Sequence, residues 1–357
     1  MSELNQEEYQ SFGPRTARDL IGHEGAQQSL LAAWDSGRLP HAWLITGPKG
    51  IGKATLAFRF ARFVLAKDEP DVDLSSLAIS ENSATFQHVA GFGHPGLLTI
   101  ERGWDDKRSR WRGEIGVDDV RRLQPFFGMK PEPGQWRVCV IDAADEMNRN
   151  AANAALKTIE EPPDRGLILL LASAPGRLLP TIRSRCRTLA LQPLSEEQVA
   201  DILADKRPDL PEEDRRAAAR LAEGSAGRAI ALADAGGAAL YGEMIALVAD
   251  LPRLDVGRLN AYIDRLARPA AEPAYRAATD LLRRWLARLV KAGQVSEGGV
   301  PGEEEGLGRL ASRVALDRRL ALWEKVCFLL DRADSANLDR RQVLLSAFLA
   351  IETAARG

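Results

Sequence analysis

The sequence predicts an α/β domain with a parallel sheet over residues 1–193, followed by helices alone to the C-terminus. Three observations carry this prediction. Apolar runs at 41–46, 138–141 and 167–173 have the length and unbroken hydrophobicity of parallel strands covered on both faces. Helical patterns separate those runs, which is the alternation expected of a doubly covered sheet. After Pro193 the strand patterns stop and only helical periodicity remains.

The loop after the first strand is the most informative stretch. Residues 47–55 read GPKGIGKAT, matching the phosphate-binding pattern G-x-x-x-x-G-K-[ST] at Gly47, Gly52 and Lys53, with Gly50 between them. In the helix that follows, Leu56, Phe60 and Val64, then Ala57, Ala61 and Leu65, recur every four residues. Strand, glycine loop and helix N-terminus together aim backbone N–H groups and the positive end of a helix dipole at a phosphate. One position departs from the pattern. Ala54 stands where the motif needs a hydroxyl, and a methyl group cannot hold Mg²⁺. Thr55 comes one place late, roughly 100° further round the helix, and is not expected to substitute. The bland alternative is a tight turn that binds nothing; descent from a nucleotide-binding loop accounts for more of the pattern.

Composition narrows the function classes. Lys and Arg total 48 against 50 Asp and Glu, a formal net charge of −2, so a nucleic-acid or membrane surface would have to be a local patch. The three cysteines, Cys139, Cys186 and Cys327, are too scattered for a disulfide framework or a zinc site and suit a reducing cytosol. The N-terminal MSELNQEEYQ lacks the features of a signal peptide, and no apolar run reaches ~18 residues. A cytoplasmic protein without a membrane partner is the expectation.

Taken in order, residues 1–18 read as a loose lead-in and 24–36 as a helix stopped by Gly37. From 67 to about 112 the periodicity fades, with one strand expected at 97–101. The segment ERGWDDKRSRWR places Arg102, Lys107, Arg108, Arg110 and Arg112 around Trp104 and Trp111, a mixture that single-strand-binding surfaces use, although a solvated loop reads the same way. Residues 117–127 read as one helix with acids in its first turn. Asp142 falls at the C-terminal end of the second buried strand, where ligands of open α/β sheets collect. A helix closing at Pro162-Pro163, a third buried strand at 167–173 and a short fourth strand complete the sheet domain. Ser195 to Gln198 forms a capping box that opens a small helical unit over 194–236, with further helices from Pro211 and Gly227. About five helices then make a third domain over 238–357, interrupted by a flexible break at 294–306.

At this point the residues carry a resemblance. NAALKTIEEPP at 153–163, RLLPTIRSRCRTLALQPLS at 177–195 and RLPHAWLITGPKGIGK at 38–53 resemble the bacterial clamp-loader branch of the AAA+ ATPases. The likeness spans residues 19–235 in order and spacing, while 238–357 match only in being helical. It implies a AAA+ P-loop domain, a helical lid and an all-α collar used for oligomerisation. It also implies roles by position. Gly47, Gly50, Gly52, Lys53, Ala54 and Thr55 would line a degenerate nucleotide site, with Asp142 as the remnant Walker B acid. Ser173 would be sensor 1 and Arg228 the sensor-2 residue, or else an arginine of the lid surface. Arg185, in the run Ser184-Arg185-Cys186, would be an arginine finger reaching a neighbouring subunit's ATP, unless it is a surface arginine paired with Glu160 or Glu161. Implied partners are gamma/tau and delta subunits in a ring within a DNA polymerase III assembly, a sliding clamp and primed DNA.

Two departures shape the mechanism that the resemblance implies. Residue 143 is alanine where a catalytic glutamate follows the Walker B aspartate, and Asp145 and Glu146 are out of place. No cysteine occurs from 54 to 138, where many relatives carry a four-cysteine zinc module, so no zinc is expected. Losing a general base commonly costs ~10²–10⁴ in rate, before the missing metal ligand is counted. The expectation is a non-hydrolysing stator that binds ATP or ADP weakly or not at all and requires no cofactor. Its alternatives are an active motor subunit using Thr55 and a DNA-binding module working through 102–112.

Overall fold

The computed structural model describes residues 13–70, 72–73, 75–105, 110–129, 134–292, 303–336 and 338–356. The chain separates into two units, Met1–Leu194 and Ser195–Gly357.

In the first unit α1 (Glu24–Asp35) leads to β1 (Ala42–Thr46), the glycine loop and α2 (Lys53–Leu65). Helix α3 (Ala84–Ala90) and β2 (Leu97–Ile100) follow, then a ribbon of β3 (Trp104–Asp105) and β4 (Arg110–Trp111). Next come α4 (Val117–Arg121), α5 (Leu123–Gly128), β5 (Arg137–Ile141) and α6 (Arg149–Glu160). Strand β6 (Gly166–Ala172), α7 (Pro180–Arg183) and β7 (Arg187–Ala190) complete the unit. The main sheet is parallel throughout, in the order β2-β5-β6-β1-β7. Every residue of β1 and of the central β6 is buried, as their continuous hydrophobicity requires.

Side-chain alternation sorts the core into two layers. Trp43, Ile45, Val138, Val140, Leu169 and Leu171 face the α2 side with Leu56 and Phe60. Leu44, Cys139, Ile141, Ile168 and Leu170 face the other side with Val120, Phe126, Ala155 and Ile182. A fully buried Leu, Ile or Phe contributes about 1.5–3 kcal/mol, so the two layers supply the main stabilisation of this unit.

The helix expected over 117–127 is instead two, broken at Arg122. Pro125 has no N–H to donate to the Arg121 carbonyl, so one continuous α-ladder cannot form there. In the polar stretch after 67, α3 forms through caps rather than periodicity. Ser83 Oγ accepts from the Phe86 amide at 3.0 Å, and a Glu69 carboxylate oxygen accepts from the Thr85 amide at 2.8 Å.

Three cations of α2 are buried: Lys53 at its start, and Arg59 and Arg62 further along. The Arg59 guanidinium donates to the Arg18 carbonyl. Arg62, 1% exposed, donates to the Arg15 and Ala17 carbonyls and lies 4.7 Å from the centre of the Phe86 ring. Burial lowers the Arg62 guanidinium to about 10. These bonds tie the lead-in to the sheet domain from residue 15 onward.

The second unit is helical: α8 (Glu196–Lys206), α9 (Glu212–Leu221), α10 (Ala226–Asp234), α11 (Gly237–Ala249) and α12 (Val256–Leu266). The long α13 (Glu272–Lys291), α14 (Glu303–Arg313), α15 (Leu316–Ala336) and α16 (Arg340–Arg356) follow. The capping box at Ser195 and Gln198 is present and starts α8. Helices assigned from sequence to separate lid and C-terminal domains pack in this one unit, with α10 against both α11 and α13. The break expected over 294–306 is shorter at its C-terminal end, because α14 begins at Glu303. That carboxylate is buried against the Arg288 guanidinium at 2.8 Å and opens an acidic first turn favoured by the helix dipole. Residues 294–302 lie outside the described residues. Among the described residues no single helix is long and apolar enough to cross a membrane.

Replacing Arg62 by Met should keep the fold but strand the Arg15 and Ala17 carbonyls. Urea denaturation should show a loss of about 3 kcal/mol, the scale of hydrogen bonds to a charged group. A change below about 0.5 kcal/mol would contradict this role.

Candidate nucleotide site and trans-acting arginine

The glycine loop leaves β1 at Thr46 and enters α2 at Lys53. Gly47, with φ 143°, is required by both conformation and space. A Cβ there would lie 2.6 Å from Ile51 Cδ1 and 2.7 Å from the Leu191 carbonyl oxygen. Gly50 and Gly52 also have positive φ, 79° and 109°. The backbone amides of Gly50, Ile51, Gly52 and Lys53 have no acceptor among the described residues. Four unpaired N–H groups at a helix N-terminus form an anion cradle, so the loop fits a phosphate.

Lys53 is 8% exposed, and its ammonium makes three hydrogen bonds. It donates to the Gly47 carbonyl at 2.7 Å, the Pro48 carbonyl at 2.8 Å and Ser173 Oγ at 2.9 Å. An ammonium has three protons, so its donor capacity is filled. Burial pulls its pKa below the usual lysine range, and the charges of Asp142 and Asp145 oppose that shift. His23, at φ 62° before α1, bonds through Nε2 to the Ile51 carbonyl at 2.7 Å. A carbonyl only accepts, so Nε2 carries the proton.

The metal side of the site is poorer. Ala54 is a methyl packed against the α2-side core, and the half-buried Thr55 side chain has no hydrogen-bond partner among the described residues. Asp142 follows β5 directly, with its amide donating to the Ile100 carbonyl at 2.8 Å. Burial pushes its carboxyl above the usual range, and the Lys53 charge acts the other way. Ala143 adopts the left-handed conformation, φ 64° and ψ 57°, which costs an L-residue about 1–2 kcal/mol. The two acids beyond it are already engaged. Asp145 Oδ2 accepts from the Ser173 amide at 3.1 Å and the Ala174 amide at 2.7 Å, capping the end of β6. Glu146 pairs with Arg102 at 2.8 Å.

Arg185 lies just past α7, two-fifths exposed, with its guanidinium 2.9 Å from a Glu160 carboxylate oxygen and donating to the Thr181 carbonyl at 3.1 Å. Within the second unit, Arg228 is largely buried. It lies 3.0 Å from an Asp280 carboxylate oxygen and donates to the Ala222 carbonyl at 2.9 Å. Asp280 also accepts from Arg284, which pairs with Glu223, so α10 and α13 share an alternating ion-pair network.

In the basic segment, Arg102 pairs with Glu146, and Arg112 lies 3.8 Å from Asp119. Lys107 and Arg108 lie outside the described residues, and Arg110 is described only as part of β4. The structure therefore brings Gly47, Gly50, Gly52, Lys53, Asp142 and Ser173 together and leaves Arg185 apart on the same unit's surface. Sequence reasoning missed His23, because a histidine ahead of a helix carries no local signal of a distant carbonyl. It also missed the capping role of Asp145, visible only once β5 and β6 are neighbours.

A family model described as "DNA polymerase III, delta subunit" matches residues 22–195. The delta' subunit of DNA polymerase III from Escherichia coli K12 is 30% identical over 325 residues, 90% of this chain and 91% of that one. The chain belongs to the DNA polymerase III delta' family. The delta' subunit of Pseudomonas aeruginosa is 36% identical over 173 residues, 48% of this chain and 49% of its own. The gamma/tau subunit of Mycobacterium tuberculosis H37Rv is 29% identical over 196 residues, 55% of this chain and 32% of its own. The chain thus spans about half the length of the first of these last two relatives and about a third of the second. A Thermotoga maritima gamma-subunit-related protein of solved structure aligns over 92% of this chain and all of its own, with a TM-score of 0.43 and 20% identity. Parallel sheet, P-loop and family together make the first unit a AAA+ fold.

The raised Asp142 carboxyl has a testable sign. Between the ordinary 3.8 and its higher folded value, the folded protein holds a proton that the unfolded chain has released, so stability falls as pH rises through that window. Asp142→Asn should therefore melt at a higher temperature than the parent at pH 7, with the difference vanishing towards pH 3.8. A variant no more stable than the parent at pH 7 would contradict this account.

Proposed function

We propose that this protein is a non-hydrolysing subunit of a clamp loader, sitting in a ring with gamma/tau and delta subunits that loads a sliding clamp on primed DNA. The observation that carries the first part is the pairing of an intact phosphate cradle with Ala54 and Ala143. The orphan amides and Lys53 suit the phosphates of a nucleotide. No side chain at 54 can hold the metal ion that phosphoryl transfer uses to neutralise charge, and no carboxylate is positioned to activate water. Asp145 and Glu146 cannot substitute without uncapping β6 or releasing Arg102. Nucleotide binding, if it occurs, is weak and without turnover, and Lys53 must give up its bond to Ser173 to meet a phosphate.

Arg185 is the group this reading places in the neighbour's site. Its ion pair with Glu160 is exposed on both sides, and such pairs are worth about 0–1 kcal/mol. A finger supplied in trans contributes roughly 10³–10⁵ in rate, or about 4–7 kcal/mol of barrier. The second magnitude exceeds the first several times over, so releasing Glu160 is no obstacle. Arg228 is read differently. Its commitment to Asp280 and Ala222 favours a role in holding α10 to α13 over one as a nucleotide sensor.

Arg185→Ala should leave the thermal melt and complex assembly unchanged while cutting the DNA-stimulated ATPase of the reconstituted complex at least tenfold. Unchanged ATPase removes the trans role. Ala54→Thr should not restore hydrolysis to the isolated chain, because residue 143 still lacks a carboxylate. Turnover by the isolated parent that disappears on Lys53→Ala would establish an active motor subunit instead.

A further inference from the structure

Among the described residues of the first unit, one corner of the sheet has no helix over it. On the face that carries α4, α6 and α7, Leu44 and Thr46 of β1 lie beside Thr188 and Ala190 of β7. The helical layer stops short of this edge, and Thr188 and Ala190 are exposed. A groove of about 470 Å³ results, with Leu44 and Thr46 as its floor and Pro175, Pro180, Arg183 and Thr188 as its walls.

Ser184 Oγ in its wall donates to the Thr181 carbonyl at 3.2 Å, but two other polar groups are unspent. Thr46 is 8% exposed, and its hydroxyl has no hydrogen-bond partner among the described residues, although it lines the groove. The exposed Arg183 guanidinium has no acceptor there either, unlike Arg185, which is tied to Glu160. Among the described residues no carboxylate lines the groove, so the Arg183 charge there is uncompensated and positive. An apolar floor with two prolines, one free guanidinium and a nearly buried hydroxyl calls for an apolar side chain followed by a carboxylate.

We propose that this groove is a docking site for an acidic–apolar segment of the neighbouring AAA+ subunit, the same neighbour to which Arg185 is assigned; the inference rests on that reading. Pro180, Arg183 and Ser184 wall the groove and lead directly into Arg185. Seating the segment anchors the chain stretch that carries the finger. A phosphate of nucleic acid is disfavoured by the apolar floor, since backbone phosphates are met by exposed cations and amides.

The test uses the full chain and the full-length gamma/tau-type subunit of the same organism, with binding followed by titration calorimetry. Arg183→Glu reverses the charge, and Thr188→Trp fills the groove. Both leave Arg185 and the phosphate loop intact. Each should weaken association at least tenfold at an unchanged thermal melt, whereas Arg185→Ala leaves affinity unchanged and lowers only the ATPase of the complex. Unaltered affinity in both groove variants overturns the docking site and leaves the finger assignment standing. Amide hydrogen exchange on the parent complex gives a measurement independent of variant folding: slowed exchange at 176–178 and 188–190, the groove walls on either side of the finger stretch, supports the site, and unchanged exchange there overturns it. Single-stranded DNA binding that Arg183→Glu abolishes, with subunit affinity intact, also overturns it.

Discussion

The buried ammonium of Lys53 is the contact on which the candidate site depends. It joins two carbonyls of the glycine loop to a hydroxyl at the end of β6, and so couples the neighbouring edges of β1 and β6. Asp145 reaches the same corner from the turn after β5 and takes the two amides that follow β6. Three strand ends are thereby locked through hydrogen bonds rather than apolar packing. A buried cation needs such partners, because an unpaired one would cost several kcal/mol.

The glycine loop and the side chains around it are built differently. The cradle is backbone, dictated by glycine conformations and the N-terminus of α2, and survives changes in side chains around it. The side chains around it are alanine at 54 and 143, with Asp145 held by the Ser173 and Ala174 amides and Glu146 by Arg102. The left-handed conformation of Ala143 turns the chain into the 3-10 segment Ala144–Glu146, which delivers Asp145 to β6. A glutamate at 143 would have to adopt the same left-handed conformation, a strained one for a residue with a longer side chain.

Much of this was legible in the sequence where a single local rule decides the outcome. The buried strands at 138–141 and 167–173 declare themselves by unbroken hydrophobicity, and α8 by its capping box. The glycine loop was legible because Gly47, Gly50 and Gly52 have few other reasons to stand at that spacing. Helix α3 was not, since its stability comes from Ser83 and from Glu69, a residue well before the helix in the chain. Nor was the break at Arg122, where Pro125 outweighs a good helical pattern. Arginine partners were the hardest to read. Glu160 was one of two chemically reasonable acids for Arg185, but Asp280 lies far along the chain from Arg228, and the carbonyls that hold Arg59 and Arg62 carry no sequence signature. Long-range pairing of a flexible side chain is decided by packing, which local pattern does not encode.

The ion-pair network of Arg228, Asp280, Arg284 and Glu223 bears on where this molecule can be cut. Gly236 looks like a natural severing point, a glycine in the left-handed conformation between α10 and α11. A fragment ending there would keep Arg228 and Glu223 but lose Asp280 and Arg284, leaving one largely sheltered guanidinium without its counter-ion. Such a truncation would also strip α10 of the helices that cover it. A soluble fragment should therefore end near Leu194 or not be shortened at all.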